Sequence, residues 1–263
     1  EIDWSSDLDV YHQTLEEKHI DLYKNISKEK FIEKLNKIRE ESAKLTDFQI
    51  KIELMRLTRE IGGGQGDGHT SIPLWETVYH RYPVEVMNFD GEIRIIRAHK
   101  NHANLLGTKI LKIDDVPIER IINEVSSIVP FTENKFSRMA RTSSYFLISE
   151  ILYSLDLTKK ISEAKFTVQD DKNVSRTTTL KAILDANINK SNFQEYELSI
   201  PKASNLNTSK LDGLWFSMIP EKKTVYIKFS HYTSQENMDL FSKNLIESII
   251  ETDSKNIIID IRD

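Results

Sequence analysis

A histidine that follows a glycine-rich segment is the strongest catalytic candidate in this 263-residue sequence. Five of the eight glycines lie between residues 62 and 68, and His69 comes directly after them. A hydroxyl nucleophile is feeble at neutral pH until a neighbouring base takes its proton, a task that suits neutral imidazole. Glycines also let the backbone approach a partner closely. The pattern predicts that His69 is a general base supported by Asp67, Gly68 and Thr70; an incidental histidine on a surface loop is the alternative.

Two aspartates at the end of the sequence form a second candidate group. Asp260 follows a run of isoleucines, and Asp263 comes three residues later. Residues just beyond the carboxyl ends of strands line the working crevice of open α/β sheets. An aspartate within an apolar strand needs a partner, and Arg262 would share its face of the strand. Both aspartates are therefore predicted to support a site, with capping of the next turn as the alternative.

Two other kinds of site are less well supported by the sequence. His99 and His102 have a spacing that allows metal binding, with Asp67 and His69 as further ligands, but their segment is polar and solvated histidines are favoured. The glycine-rich segment lacks the Lys-Ser/Thr ending of a phosphate-binding loop and follows a helix. The sequence therefore predicts no metal and no cofactor.

Composition excludes several classes of protein. The absence of cysteine excludes disulfides, thiolate zinc sites, iron–sulfur clusters and a cysteine nucleophile. A formal net charge of −5 argues against a dedicated duplex-DNA binder. No apolar run approaches the roughly 18 residues of a membrane span. The missing initial methionine and the missing cysteines fit a processed protein, so an extracytoplasmic or secreted location is expected; a shortened sequence explains the missing methionine equally well, and chance explains the missing cysteines.

Helices are predicted before the glycine-rich segment. Apolar residues at helical spacing mark residues 31–38 and 50–61, and Thr46 with Gln49 fits a capping box. Ser6 with Asp9 fits a second capping box, and Gly62 is expected to end the last helix as a left-handed cap. Residues 1–78 are therefore assigned to an amino-terminal helical domain that ends in the glycine-rich loop.

The remaining sequence is predicted to contain two sheets. Alternating apolar residues from about residue 82 indicate a β domain over 79–185, with helical insertions near 118–125 and 136–157. Residues 186–212 are polar and read as a connector, to which Tyr196 and Leu198 could add an edge strand. Residues 213–263 predict a βαβ unit whose last strand is parallel and buried on both faces. Because such a strand needs neighbours on both sides, we expect the chain to be the amino-terminal portion of a longer protein.

The order of these segments resembles a known family. The segments that carry the resemblance are Gly66-Asp67-Gly68-His69-Thr70, Leu106-Gly107-Thr108-Lys109-Ile110-Leu111-Lys112-Ile113-Asp114-Asp115-Val116-Pro117-Ile118, Val225-Tyr226-Ile227-Lys228-Phe229 and Ile257-Ile258-Ile259-Asp260-Ile261-Arg262. Together they resemble the carboxyl-terminal processing (tail-specific) serine peptidases, whose relatives include the tricorn protease core. The resemblance extends from about residue 4 to residue 263.

The resemblance implies an α+β multidomain fold. It would comprise an amino-terminal helical unit, a PDZ-like β domain with helical insertions, and the start of an α/β crotonase-like peptidase core. In the tricorn-like branch a histidine before the PDZ-like domain is the base, and His69 matches that position. That branch has a serine immediately before the histidine, whereas this chain has Gly68. The family's serine nucleophile, and the lysine base of the processing branch, follow the core strand that ends here in Asp260-Ile261-Arg262-Asp263.

The sequence therefore predicts the amino-terminal part of a serine-type endopeptidase whose nucleophile lies outside these residues. Its expected partner is a polypeptide substrate, with no nucleic acid and no membrane span. The alternative is a non-catalytic protein that binds peptides or an apolar ligand on the same architecture. A downstream serine on a strand-to-helix turn would distinguish the two.

Overall fold

The structure of the chain, a computed structural model, describes residues 3–63, 68–75, 77–196 and 213–261. It has mixed helices and sheets and divides into two units, Glu1–Glu197 and Leu198–Asp263. The domain boundaries that we placed at residues 78, 185 and 212 stay predictions. In the described ranges, the helices are all too short or too polar to cross a membrane.

Three helices begin the first unit: α1 (Trp4–Lys18), α2 (Lys28–Glu41) and α3 (Asp47–Ile61). The capping box of Thr46 and Gln49 starts α3 as predicted. The prediction for α1 was wrong, because Asp3 caps it by accepting from the backbone of residues 5 and 6, and Ser6 lies inside the helix. The three helices bury a common apolar core that contains Leu8, Leu22, Ile26, Phe31, Leu35, Ile38, Ile50, Leu54, Leu57 and Ile61.

Helix α3 also packs on the sheet that follows. Ile52 and Met55 face the sheet core, whereas its other buried apolar residues, Ile50, Leu54, Leu57 and Ile61, pack with α1 and α2. Packing against α1 and α2 on one face and against the sheet on the other therefore fixes the position of α3 before the glycine-rich segment. Gly62 has φ −83°, so the predicted left-handed residue is not Gly62 but Gly63, at φ +70°.

The sheet of the first unit is antiparallel, with strand order β2-β3-β4-β6-β7. Strand β5 pairs with β4, β9 pairs with β3, and β1 and β8 form a separate two-stranded sheet. The strands are β1 (His80–Arg81), β2 (Val84–Phe89), β3 (Glu92–His99), β4 (Lys109–Ile113), β5 (Val116–Pro117), β6 (Glu163–Gln169), β7 (Ser175–Lys181), β8 (Ile183–Leu184) and β9 (Phe193–Glu195). At the centre of the core Tyr82 meets Phe166 edge to face, with ring centroids 4.9 Å apart.

Three helices interrupt these strands, α4 (Ile118–Ser126), α5 (Lys135–Tyr145) and α6 (Ser149–Ser154), which confirms both predicted helical insertions. Short 3₁₀ turns occur at Ser42–Lys44, Lys100–Leu105, Asp185–Asn187 and Lys190–Asn192. The predicted connector contains the last two of these turns and β9. Tyr196 donates its backbone N–H to Ile96 and so extends the pairing of β9 with β3, as expected of an edge strand. Leu198 lies outside the described residues.

The second unit consists of β10 (Leu214–Ile219), β11 (Thr224–Phe229), α7 (Gln235–Glu251) and β12 (Asn256–Asp260), with a 3₁₀ turn at Pro220–Lys222. Strand β10 is antiparallel to β11, and β12 is parallel to it, which confirms the βαβ unit. The predicted burial of β12 was wrong. Ile257, Ile258 and Ile259 are 58%, 48% and 62% exposed, because β12 pairs with β11 alone in the described sheet.

Candidate functional site

The candidate base lies on the segment that follows α3. Asp67, the loop residue expected to support it, lies outside the described residues. Gly68 and Thr70 are partly buried, and His69 between them is exposed. His69 borders a cavity of about 390 Å³ whose other lining residues come from α1, α3 and the segment itself, namely Tyr11, Thr14, Leu15, Lys18, His19, Thr58, Thr70, Ser71 and Ile72. The imidazole is therefore accessible to a reacting group.

A neutral hydrogen-bonded pair forms part of this cavity. The Thr58 hydroxyl donates to the carbonyl oxygen of Leu54 at 2.6 Å, and the Tyr11 hydroxyl lies 2.8 Å from Thr58 Oγ1. Since the Thr58 proton is used, Tyr11 is the donor in the second bond. Burial raises the pKa of Tyr11 to about 12, with the bond to Thr58 opposing the shift. This side of the cavity therefore stays uncharged at neutral pH.

Hydrogen bonds connect the His69 segment to the loop between α4 and α5. The hydroxyl oxygen of Ser71 accepts from the backbone N–H of Phe131 at 2.9 Å. Arg59, buried on α3, donates from Nη1 to the Val129 carbonyl at 3.0 Å and to Thr132 Oγ1 at 3.2 Å. Burial lowers the pKa of Arg59. These hydrogen bonds therefore connect both the His69 segment and α3 to the loop between α4 and α5.

Glu133, on the same loop, approaches the residue before His69. A Cβ atom added to Gly68 would lie 2.1 Å from Glu133 Oε1. Gly68 and Glu133 border a second cavity, of about 460 Å³, together with Trp75, Phe131, Ser137 and Arg141. Sequence reasoning missed this cluster, because residues more than 60 positions from Gly68 leave no spacing signal. The one available hint was an indole six residues after His69.

Asp260 lies in the second unit, at the end of β12, and is buried, so its carboxylate needs partners. The Tyr226 hydroxyl donates to its carboxylate, and Lys228 Nζ lies 3.7 Å from Oδ1. Both partners come from the neighbouring strand β11. The partner predicted from spacing along the strand, Arg262, lies outside the described residues, as does Asp263.

The histidines of the metal hypothesis have other roles in the structure. His99 Nδ1 accepts from the backbone N–H of Asn101 at 3.3 Å and so caps the 3₁₀ turn. Burial lowers the pKa of His102, and repulsion from His99 adds to the shift. In the described part of the chain, histidine and carboxylate side chains do not gather in groups of three or more.

No protein-family model matches the sequence, and no curated protein matches it. Solved structures of CPAF, a chlamydial serine protease of the tail-specific protease family, do match. A serine-to-alanine variant of CPAF has a TM-score of 0.62 at 9% identity, over 97% of this chain and 55% of that chain. CPAF complexed with lactacystin gives 0.58 at 11%, again over 97% and 55%. Mature CPAF gives 0.54 at 9%, over 97% and 54%. The chain thus has a CPAF-like fold and spans about 55% of the length of CPAF.

Proposed function

We propose that this chain is part of a serine-type peptidase that hydrolyses peptide bonds in polypeptides, with His69 as the general base. One observation carries the proposal. A fold like that of the serine protease CPAF extends over 97% of the chain. Within that fold, the exposed His69 borders a cavity, and Ser71 on the same segment is hydrogen-bonded to the loop between α4 and α5.

The proposed mechanism assigns His69 two proton transfers in each half of the reaction: it takes a proton from the attacking group and returns it to the leaving group. His69 takes the proton of a serine hydroxyl that lies outside residues 1–263, and the serine oxygen attacks the peptide carbonyl. The imidazolium then returns the proton to the leaving amine, which yields an acyl-enzyme. In the second half, His69 takes a proton from water, the water oxygen attacks the acyl-enzyme carbonyl, and the imidazolium returns the proton to the serine oxygen as the acyl group leaves.

The proposal gives the first sheet a PDZ-like role in holding the polypeptide. Among the described strands, β2 pairs with β3 alone, and α5 runs alongside it. A cavity of about 460 Å³ lies here, bordered by Val84 and Val86 of β2, Ser143 of α5 and Leu147. An extended peptide adds to such an edge through backbone hydrogen bonds, while alternate side chains enter the groove. In the same proposal, residues 213–263 begin a crotonase-like core, and Asp260 and Asp263 at the end of its strand are supporting residues of the peptidase.

The test is labelling with a fluorophosphonate probe, which reacts with activated serines. The protein expressed from its complete gene is compared with its His69→Ala variant and with His231→Ala, a control at an exposed histidine of the second unit. Because a positioned general base contributes about 10²- to 10⁴-fold, labelling should fall by at least about 100-fold in His69→Ala alone. Equal labelling of both variants removes His69 from the mechanism. An absence of labelling and of peptide hydrolysis in the wild type refutes the peptidase.

A non-catalytic protein that binds peptides or an apolar ligand is the second candidate. It is favoured by the groove between β2 and α5, whose lining residues all belong to the first unit. This candidate requires peptide binding in the groove without labelling or hydrolysis. The same labelling experiment, combined with a peptide-binding measurement, separates the two functions.

A further inference from the structure

The cavity that borders Gly68 contains a stack of aromatic and cationic side chains. The rings of Trp75 and Phe131 lie nearly parallel, at 10°, with centroids 5.5 Å apart. The Arg141 guanidinium carbon lies 5.3 Å from the Phe131 ring centroid. Trp75 is 81% exposed, so the indole face that does not contact Phe131 is open. Offset stacking and cation–π contacts are thus already present, and a further ring can join them.

Phe131 is held in a conformation that a bulky residue rarely adopts. Its φ is +55°, in the left-handed region. The bond from its backbone N–H to Ser71 Oγ, and the bonds from Arg59 to the Val129 carbonyl and Thr132 Oγ1, hold the loop that carries Phe131. Strained residues persist where the surroundings determine them, and they concentrate in binding and catalytic sites. The ring of Phe131 borders the cavity from this loop.

The charges around the cavity favour neither a cationic nor an anionic side chain. Glu133 and Arg141 both border it, and in the described part of the chain no ion pair neutralises either charge. A lysine or arginine side chain would be repelled by Arg141 and attracted by Glu133, and an aspartate or glutamate would meet the reverse, so neither sign of charge is favoured. A neutral aromatic ring does not depend on this balance and gains stacking on Trp75.

Resting on the proposed peptidase function, we propose that Trp75, Phe131 and Arg141 form a substrate subsite for an aromatic side chain of the polypeptide. The cavity borders Gly68, one residue before the candidate base, so the proposed subsite lies beside the His69 segment. This subsite is separate from the groove along β2, and the two share no lining residue.

The test uses the indole N–H signals of the ¹⁵N-labelled chain. Acetylated and amidated Ala-Ala-X-Ala-Ala peptides, with X as Phe, Lys or Asp, are titrated separately. Trp75 should shift with the Phe peptide, while Trp4, whose indole N–H donates to Asp47 at 2.7 Å, should not. The Lys and Asp peptides should leave both signals unchanged. A Lys peptide that shifts Trp75 as strongly as the Phe peptide overturns the assignment, as does a Trp75 signal that responds to none of the three.

Variants test each member of the stack. Phe131→Ala should weaken binding of the Phe peptide by about 2- to 12-fold, through loss of the ring that supports Trp75. Arg141→Gln changes an exposed residue of α5 and leaves the loop of Phe131 unaltered. It should weaken binding of the Phe peptide about 2- to 5-fold. The matched control is Phe136→Ala, an exposed phenylalanine of α5 that does not border the cavity. Equal affinity in Arg141→Gln, Phe131→Ala and the control refutes the subsite.

The two proposals fail independently. The titration cleaves no bond, so a negative result leaves the peptidase proposal standing. Conversely, His69→Ala should keep the Trp75 shift whether or not it abolishes fluorophosphonate labelling.

Discussion

Replacing Gly68 with alanine tests whether Glu133 fills the space beside the residue before His69. The added Cβ would lie 2.1 Å from Glu133 Oε1 and 2.9 Å from its carboxyl carbon, closer than real Cβ atoms approach any neighbour. The clashing atoms form the end of a flexible, exposed side chain. We therefore expect the carboxylate to swing away while the backbone stays in place.

The expected magnitude combines two opposing effects. Forcing the glutamate toward a less favourable rotamer costs about 0.5–1.5 kcal/mol. Replacing glycine with alanine restricts the unfolded chain and returns about 0.4–1 kcal/mol where the backbone is compatible. Among the described residues, the glycines with positive φ are elsewhere, at Gly63, Gly91, Gly107 and Gly213. Gly68→Ala should thus change the free energy of unfolding by no more than about 1 kcal/mol, but should stabilise a Glu133→Ala background by about 0.4–1 kcal/mol.

Urea unfolding of the four proteins gives the coupling between the two positions as a double-mutant cycle. The expected coupling is the rotamer cost, about 0.5–1.5 kcal/mol. A control cycle pairs Gly68→Ala with Glu119→Ala, an exposed glutamate in the first turn of α4, and should show additivity. A Gly68–Glu133 coupling equal to the control would refute the contact, and with it the placement of a carboxylate beside the His69 segment.

Three further predictions concern stability, each measured by urea unfolding. Arg59→Met should cost about 2–4 kcal/mol, because it leaves the Val129 carbonyl without its donor, and Arg59→Lys should cost less. Tyr226→Phe should cost about 1–3 kcal/mol, since buried Asp260 loses a donor; an unchanged stability contradicts the bond. Burial lowers the pKa of His102 below 6.5 in the folded state, so the unfolded state binds more protons as pH falls from 7 to 5. The wild type should lose stability over that window and His102→Gln should lose less; parallel pH profiles would contradict this.

Features decided by local energetics could be predicted from the sequence. Thr46 and Gln49 satisfy each other's backbone donors within one turn, so their capping box needs no distant partner. Asp90 and Gly91 both have positive φ, at 50° and 96°, as the two-residue turn between β2 and β3 requires. The βαβ order was likewise readable, because a helix-length segment between two apolar strands requires a crossover.

Features decided by distant parts of the chain could not be predicted. Asp3 and Ser6 are both good caps, and it is Asp3 whose side chain accepts from the first turn of α1. The partners of Asp260 lie on the neighbouring strand β11, whereas residue spacing along its own strand indicated Arg262. Three consecutive isoleucines indicate a strand covered on both faces, but burial depends on which elements cover it, and that information is not in the strand.

The same distinction governs the candidate site. Composition alone singled out His69, because a cluster of glycines is visible locally, whereas Glu133 and Arg141 reach the neighbourhood of Gly68 only through the fold. The groove along β2 and the aromatic subsite are both built within the first unit. Peptide binding by this chain therefore supports the peptidase and the binding protein equally. Loss of fluorophosphonate labelling in His69→Ala is the result that only the peptidase predicts.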